Sequence, residues 1–149
     1  MQRGQAATHA RDRGATAVEF ALLLPVLLLL LFGIIDFGRA LNAQITLTQA
    51  VREGARLASF GQGNAATMSQ ANATVVSRTQ AAATGLSPVT VTVTTSCPVN
   101  AGAGVDAVVN VSYAFSFVTP VGAIAAMFGS VAYGSGLTLT AQGEMPCET

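Results

Sequence analysis

The chain has 149 residues, of which 51% are hydrophobic and 9% charged, and its formal net charge is zero. This composition is too apolar and too weakly charged for an ordinary soluble domain, so it indicates a membrane protein with one small domain outside the membrane. The seven basic residues are all arginines and are scattered along the chain. No basic patch therefore supports nucleic-acid binding.

Residues 1–14 form a short leader in which Arg3, Arg11 and Arg13 outnumber Asp12. By the positive-inside rule, basic residues beside a membrane helix stay in the cytoplasm. We therefore expect a cytoplasmic amino terminus and a carboxy-terminal domain on the outer side of the cell membrane.

A long apolar run follows the leader, and its part from Phe20 to Ile35 carries no charge. Counted from Ala15, the run would form a helix about 31 Å long, which is about the thickness of the hydrocarbon core of a bilayer. It predicts a single-pass transmembrane helix over residues 15–37.

Two residues inside this helix are unusual for a plain anchor, Glu19 and Pro25. A carboxylate in the apolar zone costs about 2 to 3 kcal/mol at the membrane centre and less near the interface, so it is usually retained for a partner or a function. A proline removes one helix hydrogen bond and kinks the axis. The plain alternative is a tilted anchor with a snorkelling glutamate and a harmless kink.

A secretory signal peptide also combines a basic flank with an apolar segment. Its apolar segment is normally about 7 to 15 residues long, shorter than this run. No Ala-x-Ala site follows, and a cut after Ala43 is only a weak fit. Release of a secreted soluble domain beginning at about Gln44 stays open as the weaker alternative.

The helical pattern continues beyond the membrane segment. Small and apolar residues recur there at helical spacing: Leu47, Val51, Gly54 and Ala58. They predict that the first helix extends outside the membrane over residues 38–59. Asp36 and Arg39 are three residues apart and are expected to pair across one turn at the outer interface.

Arg52, Glu53 and Arg56 form a charged cluster near the end of this helix. Glu53 and Arg56 have the i, i+3 spacing of a favourable ion pair, whereas Arg52 and Arg56 are like charges at i, i+4. The cluster is either a solvated helix face or a contact with a neighbouring subunit.

Residues 60–149 suffice for one small α+β head with a modest core. A second helix is predicted from a cap at Asn64 through Thr84, ending at Gly85. After Ser87 and Pro88, three segments alternate between apolar and polar residues as half-buried strands do. The first segment runs from Val89 to Thr95. The apolar faces of the three segments are formed by Val89, Val91 and Val93; by Val109, Val111, Tyr113 and Phe115; and by Leu137, Leu139 and Ala141. Two helices and three short strands predict an antiparallel sheet lying on the helices.

The stretch from Phe117 to Phe128 lies between the second and third strands and is apolar, although a connecting loop is normally polar. It is too short to span a membrane. It is either a short buried helix that covers the sheet or a contact with a subunit or the membrane surface.

Cys97 follows the first strand and Cys147 follows the third. In an up-down-up meander both cysteines lie at the same end of the sheet, and outside the membrane they are free to oxidise. A disulfide between them would contribute up to about 4 kcal/mol. A free pair of thiols is the alternative.

The head has few residues of the kinds that catalysis uses. Beyond Ser59 the charged residues are Arg78, Asp106, Glu144 and Glu148, and the sole histidine, His9, is in the leader. Acid–base, nucleophilic and metal-assisted catalysis all need such groups to converge. We expect no enzyme activity, no cofactor, no metal and no small-molecule substrate.

The order of residues in the first helix is more specific than any one of them. Gly14 is followed by Ala-Thr-Ala-Val and then by Glu19-Phe20, a proline lies within the leucine run, and Arg-Glu-Gly-Ala-Arg occupies residues 52–56. This order resembles TadE-like pilus-assembly proteins, which belong to the Flp/Tad branch of the type IV-type prepilins. The resemblance covers about residues 14–59.

The resemblance implies that a prepilin peptidase cuts after Gly14, so that Ala15 becomes the first residue, Glu19 the fifth and Phe20 the sixth. Alanine at the first position departs from the phenylalanine of many type IV pilins. The implied function is that of a minor pilin or assembly component of a Tad/Flp-type pilus, acting through helix packing within membrane lipid. The implied partners are the peptidase, the major Flp-type pilin, other minor pilins and the inner-membrane assembly platform.

A different class of function is also compatible with these residues. The chain would then be an unprocessed, single-pass, membrane-tethered binding module of the bacterial cell envelope. Its binding surface would be the apolar stretch from Phe117 to Phe128. The two hypotheses differ in whether the mature chain begins at Ala15.

Overall fold

The structure is a computed structural model that describes residues 5–60, 65–102, 104–119 and 136–148. Its elements are α1 (Gln5–Ser59), α2 (Ala65–Ala82), β1 (Val89–Thr95), β2 (Asp106–Phe115) and β3 (Leu137–Pro146). A long apolar helix, a second helix and a three-stranded antiparallel sheet confirm the predicted α+β class.

Helix α1 is continuous over 55 residues and contains Pro25, so it is about 82 Å long. It begins at Gln5, so residues 5–14 of the leader belong to the same helix as the apolar run. Residues 15–31 are all exposed. Within the described residues, α1 is the one helix whose length and composition suit a membrane crossing, which fits a membrane-anchored protein.

Helix α2 ends at Ala82, two residues before the predicted end at Thr84. The N–H of Ala83 is shared between the carbonyls of Thr79 and Gln80, at 3.1 and 3.2 Å, which tightens the last turn. Gly85 then takes a positive φ of 78°, a conformation that glycine adopts without steric cost. The predicted cap, Asn64, lies outside the described residues.

The sheet has the strand order β1-β2-β3, and both neighbouring pairs are antiparallel. Strand β1 has the predicted bounds. Val111 of β2 lies opposite Val91 of β1 and Ala141 of β3, so the apolar face runs across all three strands. The other face carries hydroxyl and amide side chains. Leu137 is 43% exposed, although it was predicted on the buried face; it forms the last pair of the sheet, opposite Phe115.

The core lies between α1 and the apolar face of the sheet. One buried cluster joins α1 to all three strands through Ala43, Leu47, Ala50, Val51, Val89, Val111, Phe115 and Leu139. A second cluster, around Ala55, Ala58, Val75 and Val109, joins α1 to α2 and β2. The four residues that predicted the extension of α1 are all buried, so its inward face is confirmed.

Two glycines allow backbones to approach closely in this core. A Cβ atom on Gly54 of α1 would collide with the side chain of Thr79 and lie 3.3 Å from Val109 Cγ1. A Cβ atom on Gly143 of β3 would lie 2.5 Å from the carbonyl oxygen of Val51. Real Cβ atoms do not approach so closely, so glycine at these positions sets the spacing of α1 against α2 and β3.

Candidate functional site on the first helix

The residues of the predicted processing site lie in the amino-terminal part of α1. Ala15, Glu19 and Phe20 are exposed on a continuous helix, and Phe20 is 58% exposed. Ala15 and Glu19 are four residues apart, which places them on one face, one turn apart. Among the described residues Glu19 has no ion-pair partner. The surroundings of Gly14 lie outside the described residues.

Pro25 lies inside α1 and is exposed. A proline at this depth leaves one backbone carbonyl without its helical donor. In a membrane such a carbonyl needs a neighbouring helix, a hydroxyl or water. No described residue of the head covers this part of α1, so any such neighbour would lie outside the described residues.

The motif at residues 52–56 divides into an inner and an outer part. Gly54 and Ala55 are buried against α2 and the sheet, whereas Arg52, Glu53 and Arg56 are exposed. The predicted ion pair between Glu53 and Arg56 is wrong, because the structure forms no salt bridge between these described residues. Exposed charges gain little from pairing in water. The outer part remains available for an external contact.

Asp36 is the buried carboxylate of α1, with only 2% of the residue exposed. The predicted pair is present, because Arg39 Nη1 lies 3.1 Å from Asp36 Oδ1. The backbone amides of Val118 and Thr119 also donate to the Asp36 carboxylate, each at 3.2 Å. The hydroxyl of Thr119 donates to Asp36 Oδ2 as well. Asp36 therefore fastens the segment that follows β2 to the helix.

Sequence reasoning missed this contact with residues 118 and 119. Asp36 and Thr119 are 83 residues apart, and neither lies in a recognisable motif. The available signal was Asp36 itself, a single carboxylate directly after a long apolar run. A carboxylate buried in such a place needs donors.

Arg39 is held from two sides. Besides its bond to Asp36, its guanidinium carbon lies 5.2 Å from the centre of the Phe115 ring, within the range of a cation–π contact. Phe115 also meets Phe117 edge to face, with ring centres 5.5 Å apart. The head is thus tied to α1 by aromatic, ionic and hydrogen-bonded contacts at one level.

The apolar stretch from Phe117 to Phe128 is described only at its beginning. Phe117 is half-buried and packs against the first core cluster, while Val118 is 73% exposed. From Pro120 onward the stretch lies outside the described residues, so the predicted covering helix stays a prediction.

The far end of the head is closed by a disulfide between Cys97 and Cys147, whose Cα atoms are 5.6 Å apart. The N–H of Cys97 donates to the carbonyl of Ala58 at 3.1 Å, and the N–H of Glu148 donates to that of Ser59 at 3.2 Å. The last carbonyls of α1 therefore find partners in the two segments that the disulfide joins. Of the two alternatives for the cysteines, the structure shows the bridge.

A comparison with protein families gives a match between residues 14–56 and the model described as TadE-like protein. The matched segment begins at the glycine of the predicted processing site and ends at the last arginine of the downstream motif. Over residues 14–56 the chain is similar to TadE-like proteins. The resemblance to these Tad pilus-related proteins is confirmed there, while no curated protein and no solved structure matches the chain.

The TadE-like family is a pilus-related family and not an enzyme family. Among the described residues, no group of three or more histidine, cysteine, aspartate or glutamate side chains is placed to hold a metal ion.

Proposed function

We propose that this TadE-like chain is a minor pilin or assembly component of a Tad/Flp-type pilus. The observation that carries the proposal is the family match, which starts at Gly14 and runs through α1 to Arg56. A prepilin peptidase would cut after Gly14 on the cytoplasmic side. The mature chain would then begin at Ala15, with Glu19 as its fifth residue.

The exposure of α1 supports the proposed topology. Residues 15–37 would cross the membrane, where their exposed apolar side chains would meet lipid or neighbouring helices. Residues 38–59 would continue outside, covered on one face by the head formed by residues 60–149. This arrangement leaves the other face of the helix open to the proposed partners, which are the major Flp-type pilin, other minor pilins and the inner-membrane assembly platform.

Glu19 has a specific role in this proposal. After cleavage, the α-amino group of Ala15 would be mostly protonated near neutral pH. In a bundle of subunits, Glu19 of one chain would pair with this amine on a neighbour and neutralise two charges that lipid disfavours. Glu19 has no ion-pair partner among the described residues of its own chain, which is consistent with a partner on another chain.

The decisive experiment is the intact mass of the protein extracted from membranes. We expect a mature chain that begins at Ala15, and an uncut chain in a Gly14→Ala variant. Gly33→Ala is the matched control, because Gly33 lies in the same helix and no atom lies within 4 Å of an added Cβ. An uncut native chain would instead support the membrane-tethered envelope module.

The role of Glu19 needs its own test. A Glu19→Gln variant should be inserted into the membrane but should incorporate poorly into pili or copurify poorly with other pilins. Processing is measured by intact mass, and incorporation by immunoblotting of sheared pili. Normal processing together with normal incorporation would refute the proposed pairing.

A further inference from the structure

A cavity of about 160 Å³ lies where α1 enters the head. Its polar lining comes from Arg39 and Asn42 of α1 and from Tyr113 of β2, and its apolar lining includes Leu86 and Phe115. It is a mixed site, with one cationic group and two neutral polar groups beside an aromatic ring.

The cavity lies at a definite height along α1. Arg39 is two residues past residue 37, where the proposed membrane segment ends, which corresponds to about 3 Å along the helix axis. Asn42 lies about 7.5 Å past residue 37 on the same scale. The polar headgroup layer on each side of a bilayer is about 5 to 7.5 Å thick. With the proposed topology, the cavity opens at the level of the lipid headgroups.

The polar groups of the cavity have unused hydrogen-bonding capacity. A guanidinium group has five N–H donors, and the structure commits one from Arg39, on Nη1, to Asp36. In the described part of the chain, the side-chain amide of Asn42 and the hydroxyl of Tyr113 make no hydrogen bond to the protein. The Arg39 side chain is 44% exposed, so solution or lipid can reach it.

We propose that this cavity binds the phosphate group of a membrane phospholipid. Phosphate offers several acceptor oxygens to donors of the kind that Arg39, Asn42 and Tyr113 provide. The Asp36 carboxylate is shared between Arg39 and the backbone amides of Val118 and Thr119, and it takes only one of the guanidinium N–H donors, so the others are left for a phosphate. Phe115 holds the guanidinium in place. The bound lipid would fix the height of the head above the membrane.

The inference rests on the membrane topology of the proposed function, but not on cleavage or pilus assembly. It is tested on the full chain, purified in a maltoside detergent that contains no phosphate. Phosphatidylglycerol is added, and the retained lipid is counted by native mass spectrometry. The comparison ligand is diacylglycerol with the same acyl chains, which lacks the phosphate.

We expect one phosphatidylglycerol per chain, little diacylglycerol, and no displacement of the bound lipid by inorganic phosphate. Arg39→Gln should weaken retention about tenfold, as expected for loss of a hydrogen bond from a charged group. Asn42→Ala and Tyr113→Phe should each weaken retention while leaving the bond between Arg39 and Asp36 intact. They keep the test valid if Arg39→Gln does not fold. The control is Arg78→Gln, since Arg78 is exposed and does not line the cavity.

Three results would overturn the proposal. Equal retention of diacylglycerol would show that the acyl chains, and not the phosphate, are bound. Equal retention by Asn42→Ala, Tyr113→Phe and the parent would place the lipid elsewhere. Displacement by inorganic phosphate would show a site for a free anion. A protein that does not fractionate with membranes at all would instead refute the topology of the proposed function.

Discussion

The Asp36 carboxylate on α1 accepts hydrogen bonds from both the backbone amide and the hydroxyl of Thr119, 83 residues further along the chain. This contact joins the point where α1 leaves its apolar run to the point where β2 has ended. The disulfide and the bonds to the carbonyls of Ala58 and Ser59 secure the opposite end of the head. The head is therefore fastened to α1 at both of its ends.

The first prediction concerns Asp36. An Asp36→Asn variant keeps the shape of the side chain but loses its charge and one acceptor oxygen, so some of the donors on Arg39, Val118 and Thr119 stay unsatisfied. We expect a loss of about 2 to 3 kcal/mol in the free energy of unfolding. The measurement is thermal unfolding of the detergent-solubilised protein, followed by circular dichroism of the sheet.

Glu53→Gln is the matched control for Asp36→Asn. Glu53 is an exposed carboxylate on the same helix and forms no ion pair with the described residues. Its substitution should change the unfolding free energy by less than about 0.5 kcal/mol. Equal stability of Asp36→Asn and the parent would mean that the contact with residues 118 and 119 does not hold the head to α1.

The second prediction concerns the close packing of α1 against α2. In Gly54→Ala the new methyl group would collide with Thr79, and overpacking of this kind costs about 1 to 3 kcal/mol. Thr79→Ala removes the two Thr79 atoms that the methyl group would meet and leaves only Val109 Cγ1, at 3.3 Å, so the double variant should lose less stability than the sum of the single variants. Chemical or thermal unfolding of the four proteins measures this coupling.

Gly38→Ala provides the comparison for that cycle. Gly38 is also in α1, but an added Cβ would have no atom within 4 Å. Alanine there should be neutral or raise stability by up to about 1 kcal/mol, because it restricts the unfolded chain. Strict additivity at Gly54 and Thr79 would show that the two residues do not limit the spacing of the helices.

Much of this architecture could be predicted because it follows from the local periodicity of apolar and polar residues. The alternation from Val89 to Thr95 identified β1 at its actual bounds, and the helical spacing of Leu47 and Val51 identified the inward face of α1. The meander placed the two cysteines at one end of the sheet, where they are joined. The alternation and the helical spacing depend only on neighbours a few residues away.

The features that could not be predicted depend on residues far apart in sequence. The residues around Gly54 do not predict its contact with Thr79, and those around Asp36 do not predict its contact with Thr119, because each pair is brought together only by the completed fold. The exposure of Leu137 was missed because its alternation is regular, whereas its place at the end of the edge strand β3 leaves it uncovered. The end of α2 at Ala82 is a local feature that was also missed. The N–H of Ala83 is shared between the carbonyls of Thr79 and Gln80, and helix propensity alone does not predict this hydrogen bond.

The third prediction concerns the disulfide. The pair encloses a long loop, with a sequence separation of 50 residues, so its removal should cost about 2 to 4 kcal/mol. A double Cys97→Ala and Cys147→Ala variant avoids placing a hydroxyl at the buried position of Cys97. Its unfolding temperature should fall, and an alkylation assay on the parent should detect no free thiol before reduction. A stability equal to the parent would show that the bonds from the backbone of residues 97 and 148 to the end of α1 suffice.

The last prediction separates the two parts of the motif at residues 52–56. Arg52, Glu53 and Arg56 are exposed and unpaired among the described residues, so replacing all three with glutamine should change the unfolding free energy by less than about 1 kcal/mol. If these charges contact a neighbouring subunit, the same variant should be inserted normally and yet copurify poorly with other pilins. Gly54→Ala should show the reverse order of effects, with a clear loss of stability. The triple glutamine variant and Gly54→Ala lie within one turn and a half of helix, so different outcomes would assign the outer charges to assembly and the inner glycine to folding. If the triple variant assembles normally, the charges serve solvation alone.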